Sequence, residues 1–106
     1  VKRGKPLQRR TPLRWRSKKR ADRQAERDHV RFIVLRRDRF TCQAIGAPGR
    51  CDGPLDVHEL IRRAQWADGI YDPDNCVTVC RQHHDWITTH PEEAHQLGLA
   101  RWSWER

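Results

Sequence analysis

The sequence predicts a small α+β domain of two short strands and several helices, stapled by a metal ion and preceded by a basic extended arm. Three observations carry this. The chain has 106 residues, enough for one domain with one core, yet only 36% are hydrophobic and 34% are charged, so an apolar core alone leaves stability marginal. Four cysteines are present, and residues 75–84, NCVTVCRQHH, set two of them four apart and follow them with adjacent histidines. Charge is divided along the chain: residues 1–41 hold 16 Lys or Arg against 4 acids, a net of +12, whereas residues 42–106 hold 6 against 10, a net of −4.

The first 19 residues, VKRGKPLQRRTPLRWRSKK, carry prolines at 6 and 12 and no helical period, so they are expected to be extended. Over 20–39, Ala21, Ala25, His29 and Phe32, with Val30, Ile33 and Val34, recur at three- and four-residue steps, predicting one amphipathic helix with its apolar side inward. Residues 40–90 form the expected core. There Gly46, Pro48 and Gly49 turn the chain between Cys42 and Cys51, and 55–60 make a short strand around Val57. Residues 61–75 have no sustained period and place Gly, Pro and Asp at turn positions, and a structured loop of this length is usually functional. A second strand is expected at 77–79 and a helix over 81–89. In the closing segment, 91–106, Pro91 suits the first position of a further helix, Glu92 and Glu93 its positive end, and Gly98 its stop.

The basic arm predicts a polyanionic partner, bound by release of condensed counterions, and DNA is the expected one. Arg9, Arg10, Arg14, Arg16, Lys18 and Lys19 are the candidate phosphate contacts in the arm. A membrane partner is not expected, since Leu7, Leu13 and Trp15 are too sparse among the charges to form an apolar face. No apolar run reaches membrane-spanning length and none follows the basic start as a secretory signal does, so a cytoplasmic location is expected, where paired cysteines hold metal more often than they form disulfides.

Cys42, Cys51, Cys80 and His83 supply three thiolates and one imidazole, a set that suits tetrahedral Zn²⁺. Cys80-x-x-His83 has knuckle spacing, and the Gly- and Pro-containing stretch between Cys42 and Cys51 can fold back on itself. Cys76 is the spare, expected to be a small buried hydrophobe. If His83 faces the zinc, His84 points about 100° away around the helix and belongs to a second site. Its potential partners are His58 and Glu59 in DVHEL, at the end of the first strand, and Asn75 just before the second.

Over about residues 40–90 this arrangement resembles the HNH nuclease family: a Cys pair, a strand ending in two acid or histidine residues, a long loop, an Asn five residues before a Cys, and a knuckle whose last ligand is followed directly by His. Here the elements are Cys42 and Cys51, DVHEL, the loop through Asp74, Asn75, and CRQHH, with His83 where the family often has Cys. The resemblance implies a ββα-metal (His-Me finger) fold clasping a catalytic divalent ion, with the zinc behind it as a staple. The basic, proline-containing arm and small size are similar to those of phage or prophage members, which implies a bacterial host cell and other phage proteins, such as packaging machinery, as further partners.

The implied activity is metal-dependent hydrolysis of DNA phosphodiesters, with Mg²⁺ or Mn²⁺ held by His84 and His58. Asn75 orients the base or a loop carbonyl, and Arg62 and Arg63 hold phosphates. One departure concerns the base. Where the family strand commonly ends in Asp-His, this one has His58-Glu59, which puts Glu59 at the general-base position and His58 at a ligand position. A shift of one residue makes His58 the base instead. Glu59 is preferred because that alignment needs no shift, although a carboxylate is ordinarily a weaker base than imidazole. The alternative from another class is a zinc-stapled DNA-binding module that does not cut.

Overall fold

The computed structural model describes residues 14–106. Helix α1 (Arg14–Arg37) leads to two strands, β1 (Leu55–Glu59) and β2 (Cys76–Cys80), and then to helices α2 (Arg81–Thr89) and α3 (Pro91–Gln96). Two short 3-10 turns, Ala67–Tyr71 and Pro73–Asn75, give the loop between the strands its structure, and a third, Ser103–Glu105, lies in the tail. The architecture is therefore α+β, with the strands and the later helices where the sequence predicts them to within two residues. Among the described residues, no helix is long and apolar enough to cross a membrane.

The strands pair antiparallel, with Asp56 opposite Val79, Val57 opposite Thr78, His58 opposite Val77 and Glu59 opposite Cys76. Alternation then sorts the side chains by face. Val57 and Cys76 pack toward α1 with Val30, Val34 and Tyr71. Val77 and Val79 pack on the other side with Ile87 of α2, Ala94 of α3, Leu99 and Ala44. Asp56 and His58 share that second side, which is the side of α2. The first backbone N–H groups of α2, otherwise without acceptors, are met by carbonyls of the segment before β1: Arg81 donates to Pro54 at 2.9 Å and Gln82 to Asp52 at 3.1 Å.

Two expectations for the N-terminal region are corrected. Residues 14–19 are helical, not extended. Pro12 constrains itself and the residue before it, not those after it, and the Arg and Lys residues that follow are good helix formers. Residues 1–13 of the expected arm, including Arg9 and Arg10, lie outside the described residues. The inward apolar side is also shorter than its period implies: Val30 and Val34 are buried, but Ala21, Ala25 and His29 are exposed, and Phe32 and Ile33 are 54% and 37% exposed. The body buries only the last turns of the helix, so the remaining apolar positions stay exposed, Phe32 meeting the Arg36 guanidinium of its own helix at 5.9 Å. The helix stops at Arg37, where Arg39 and Phe40 take left-handed φ values of 55° and 52°.

Asp38 latches this helix end to the sheet. Its carboxylate accepts from the Thr78 backbone N–H at 2.9 Å and from Arg37 Nε at 3.0 Å, while the Arg37 guanidinium also donates to the Cys76 carbonyl at 2.7 Å. Burial pushes the Asp38 carboxyl upward, but the bonds from Arg37 and Thr78 outweigh it and hold the group below the usual carboxylate range. Asp38→Ala is expected to lower the unfolding free energy by roughly 1.5–3 kcal/mol at neutral pH. Because the folded pKa is depressed, the wild-type advantage is complete above the unfolded value, about 3.9, and is lost as pH falls through the folded one. Urea melts of both proteins at about pH 7 and about pH 3 check this. A gap that does not narrow in acid contradicts it.

Candidate functional site

Cys42, Cys51, Cys80 and His83 converge, and their four donor atoms lie within 4.8 Å of one another. The His83 Nδ1 atom is 3.5 Å from Cys42 Sγ, 3.6 Å from Cys51 Sγ and 3.2 Å from Cys80 Sγ. Zn–S and Zn–N bonds of ordinary length at a tetrahedral angle put sulfur and nitrogen about 3.6 Å apart, so the group can hold a metal ion such as zinc. The loop between Cys42 and Cys51 closes as expected, with Gly46 and Gly49 at φ of 87° and 89°, where a side chain is strained. The second ring nitrogen of His83, Nε2, donates to the Gly49 carbonyl at 3.0 Å, which fixes the tautomer that leaves Nδ1 free to ligate.

The thiols are arranged so that a cation among them would offset their mutual repulsion. Burial raises the Cys80 thiol, but the backbone N–H groups of His83 and Asp52 outweigh it and bring the thiol down to about 7. Cys51, hydrogen-bonded to the neighbouring Cys42 thiol, is pushed up to about 11. Three sulfurs this close cannot all ionise without a positive charge between them. Cys76 stands apart. It is 2% exposed, its thiol is pushed up to about 12 by burial, and it donates weakly to the Gly69 carbonyl at 3.7 Å. It is a packed hydrophobe, not a ligand.

On the α2 side of the sheet, His58, Glu59, Arg62, Arg63 and His84 line one cleft of about 170 Å³. The His58 and His84 rings meet edge to face with centroids 5.2 Å apart. His58 is buried, and Nε2 donates to the Leu99 carbonyl at 2.7 Å. Burial lowers its pKa, outweighing the pull of that carbonyl, so the ring is neutral and its Nδ1 keeps a lone pair. His84 Nδ1 is 2.9 Å from Asp56 Oδ2. Burial opposes charge on Asp56, yet its bonds with His84 and Arg81 hold its carboxyl below the usual range. An ionised Asp56 only accepts, so His84 Nδ1 is the donor in this bond and Nε2 is the ring nitrogen turned away from it. Each imidazole is thus oriented through one ring nitrogen, His58 by Nε2 and His84 by Nδ1.

Compared with protein-family models, with curated proteins and with solved structures, the chain matches none.

Glu59 ends β1. By strand alternation it belongs to the α1 side, and it borders both the α2-side cleft and a second cavity of about 300 Å³ toward α1. Asn75 does not line the cleft. It is 2% exposed, accepts from the Ile61 N–H at 2.9 Å and donates to the Ile61 and Gly69 carbonyls at 3.3 and 3.2 Å, so its amide clamps the β1–β2 loop. Gly69 is required there, because a Cβ would stand 2.7 Å from the Asn75 amide nitrogen. Lys18 and Lys19 are exposed on α1, and Arg14 and Arg16 belong to the same helix.

Three residues of this region were missed in the sequence. Asp56 carried a usable signal, since residues two apart on a strand share a face and it stands two before His58. Arg101 and Trp102 line the cleft because the tail folds back, with the Arg101 N–H donating to the Leu60 carbonyl at 2.8 Å. No local pattern announces that return.

Proposed function

We propose that this chain is a metal-dependent endonuclease of the HNH type, built on a ββα-metal unit and hydrolysing DNA phosphodiester bonds. The observation that carries the reading is the shared cleft. Two antiparallel strands and the helix after them gather His58, Glu59 and His84 beside two arginines, with His84 directly following His83 of the Cys₃His group. The residue pairing supports the unshifted alignment, because His58 and not Glu59 shares the α2 face with His84.

In this reading His58 and His84 would hold a Mn²⁺ or Mg²⁺ ion, through the ring nitrogens not engaged by Leu99 and Asp56. Such an ion would supply charge neutralisation at the phosphate and at the leaving 3′ oxygen. Arg62 and Arg63 hold the phosphate oxygens. Glu59 takes a proton from water as the water oxygen attacks phosphorus, the bond from phosphorus to the 3′ oxygen breaks, and that oxygen takes up a proton from solvent. Asp56 keeps the His84 ring in the ligating tautomer. Two imidazole donors suit Mn²⁺ better than Mg²⁺, which prefers oxygen. The basic residues of α1 and of the segment before it supply nonspecific attraction to DNA.

The test is cleavage of a labelled duplex with Mg²⁺ and Mn²⁺ varied. Wild type is expected to cut, and His84→Ala, with zinc content and melting temperature unchanged, is expected to bind DNA without cutting it. Zinc-loaded, folded wild type that shifts DNA but cuts with neither ion sinks the nuclease reading in favour of a binding module.

A further inference from the structure

Five tryptophans are present in the chain; one of them, Trp102, lines the cleft, and a second, Trp104, stacks beside it. Trp102 lines the cleft beside Arg62, Arg63 and Arg101. Its ring lies 4.7 Å from the His95 ring at an interplanar angle of 17°, and 6.0 Å from the Trp104 ring at 27°. Trp104 is 79% exposed. Together with Trp102 and His95 it places a row of aromatic rings, open to water at Trp104, at the edge of the arginine-lined cleft.

These rings are held in place. Glu105 accepts from the Trp102 backbone N–H at 2.9 Å and pairs with His95 Nε2 at 2.6 Å, which ties the tail turn to α3. The Arg101 N–H bond to Leu60 ties the same tail to the end of β1, next to His58 and Glu59. The row of rings therefore keeps a fixed position relative to the cleft, with guanidinium groups alongside. Flat aromatic faces next to phosphate-binding charge are what a nucleotide strand with free bases recognises, since every base offers a π face and every linkage an anion. A duplex has its base faces already stacked and offers only edges and phosphates.

We propose that His95, Trp102 and Trp104 form a stacking platform for unpaired bases, so that the cleft takes a single or locally opened strand beside the phosphate to be cut. The platform rests on the nuclease reading only for what the cleft does to that strand, not for what it binds. Protein contacts to the same indoles are the competing use, and they predict no dependence on bases.

The experiment measures fluorescence anisotropy without added divalent ion, using labelled oligo(dT), an abasic oligomer of equal length and a duplex. Wild type is expected to bind oligo(dT) more tightly than the abasic oligomer, with tryptophan quenching by the former alone. Trp104→Ala is expected to weaken oligo(dT) binding roughly tenfold and leave abasic and duplex binding unchanged, and Trp104→Phe to retain most of the affinity. Wild type that does not distinguish oligo(dT) from the abasic oligomer overturns the platform, as does an equal loss on both in Trp104→Ala. Cleavage assays on the same preparations separate the two proposals: base-dependent binding without cleavage removes the nuclease reading and leaves the platform, and cleavage with base-independent binding does the reverse.

Discussion

Cys80→Ser is expected to lose its metal and its fold together. The Cys80 sulfur stands 3.2 Å from His83 Nδ1, and it also caps α2 by accepting the His83 backbone N–H at 3.4 Å. Apparent zinc-binding free energies in small structural sites run to about 10–16 kcal/mol, which equals or exceeds the whole stability of a typical domain. With so much charge and so little apolar material, the chain has no reserve to replace that contribution. Elemental analysis is expected to find about one zinc per wild-type chain and none in Cys80→Ser, with the mutant lacking a cooperative thermal transition. A strong chelator is expected to bring wild type to the same state. Cys76→Ser, altering a sulfur packed against Val30 and Val34, is expected to keep the zinc. If Cys76→Ser loses the metal and Cys80→Ser keeps it, the ligand assignment is wrong.

The second large effect concerns Glu59 and His58. With Glu59 as base, Glu59→Gln keeps the shape and removes the basic carboxylate, so the single-turnover cleavage rate is expected to fall by roughly a hundredfold or more at every metal concentration. His58→Ala removes a donor to the catalytic ion, so its loss is expected to be partly recovered by raising Mn²⁺. His58→Ala also breaks the bond to Leu99 and leaves a buried gap, so zinc content and melting temperature are measured alongside. A folded, zinc-loaded His58→Ala that stays dead as Mn²⁺ rises, beside a mildly affected Glu59→Gln, makes His58 the base and reverses the roles.

The metal group was legible because its signal is local: Cys80 and His83 are three residues apart, and Gly46 and Gly49 mark the turn that brings Cys51 to Cys42. The separate facing of His83 and His84 followed from helix geometry alone. What the sequence concealed depends on distance along the chain. Asp56 bonds to His84 across 28 residues, and Trp102 reaches the cleft only because the tail returns to Leu60. Periodicity in α1 marked residues that share a side but not how far the body extends behind them, so Val30 and Val34 are buried while Ala21, Ala25 and Phe32 stay exposed. Prolines in the arm suggested extension past the point where their steric influence ends.

Residues 18–29 of α1, exposed on every side, carry a consequence for how this protein meets a partner. A stretch of about 12 residues without packing sits near the length at which an isolated helix is marginal in water, and its local support includes a Gln24–Asp28 hydrogen bond of 2.8 Å worth only a few tenths of a kcal/mol. Its backbone order is therefore a thermodynamic variable, linked to occupancy by any ligand that grips the helical arrangement of Lys18, Lys19, Arg20, Arg23 and Arg27. Whatever binds that arrangement draws helix out of coil, and the helix so formed presents the same cations at a fixed pitch, so affinity and folding of this segment rise as one equilibrium.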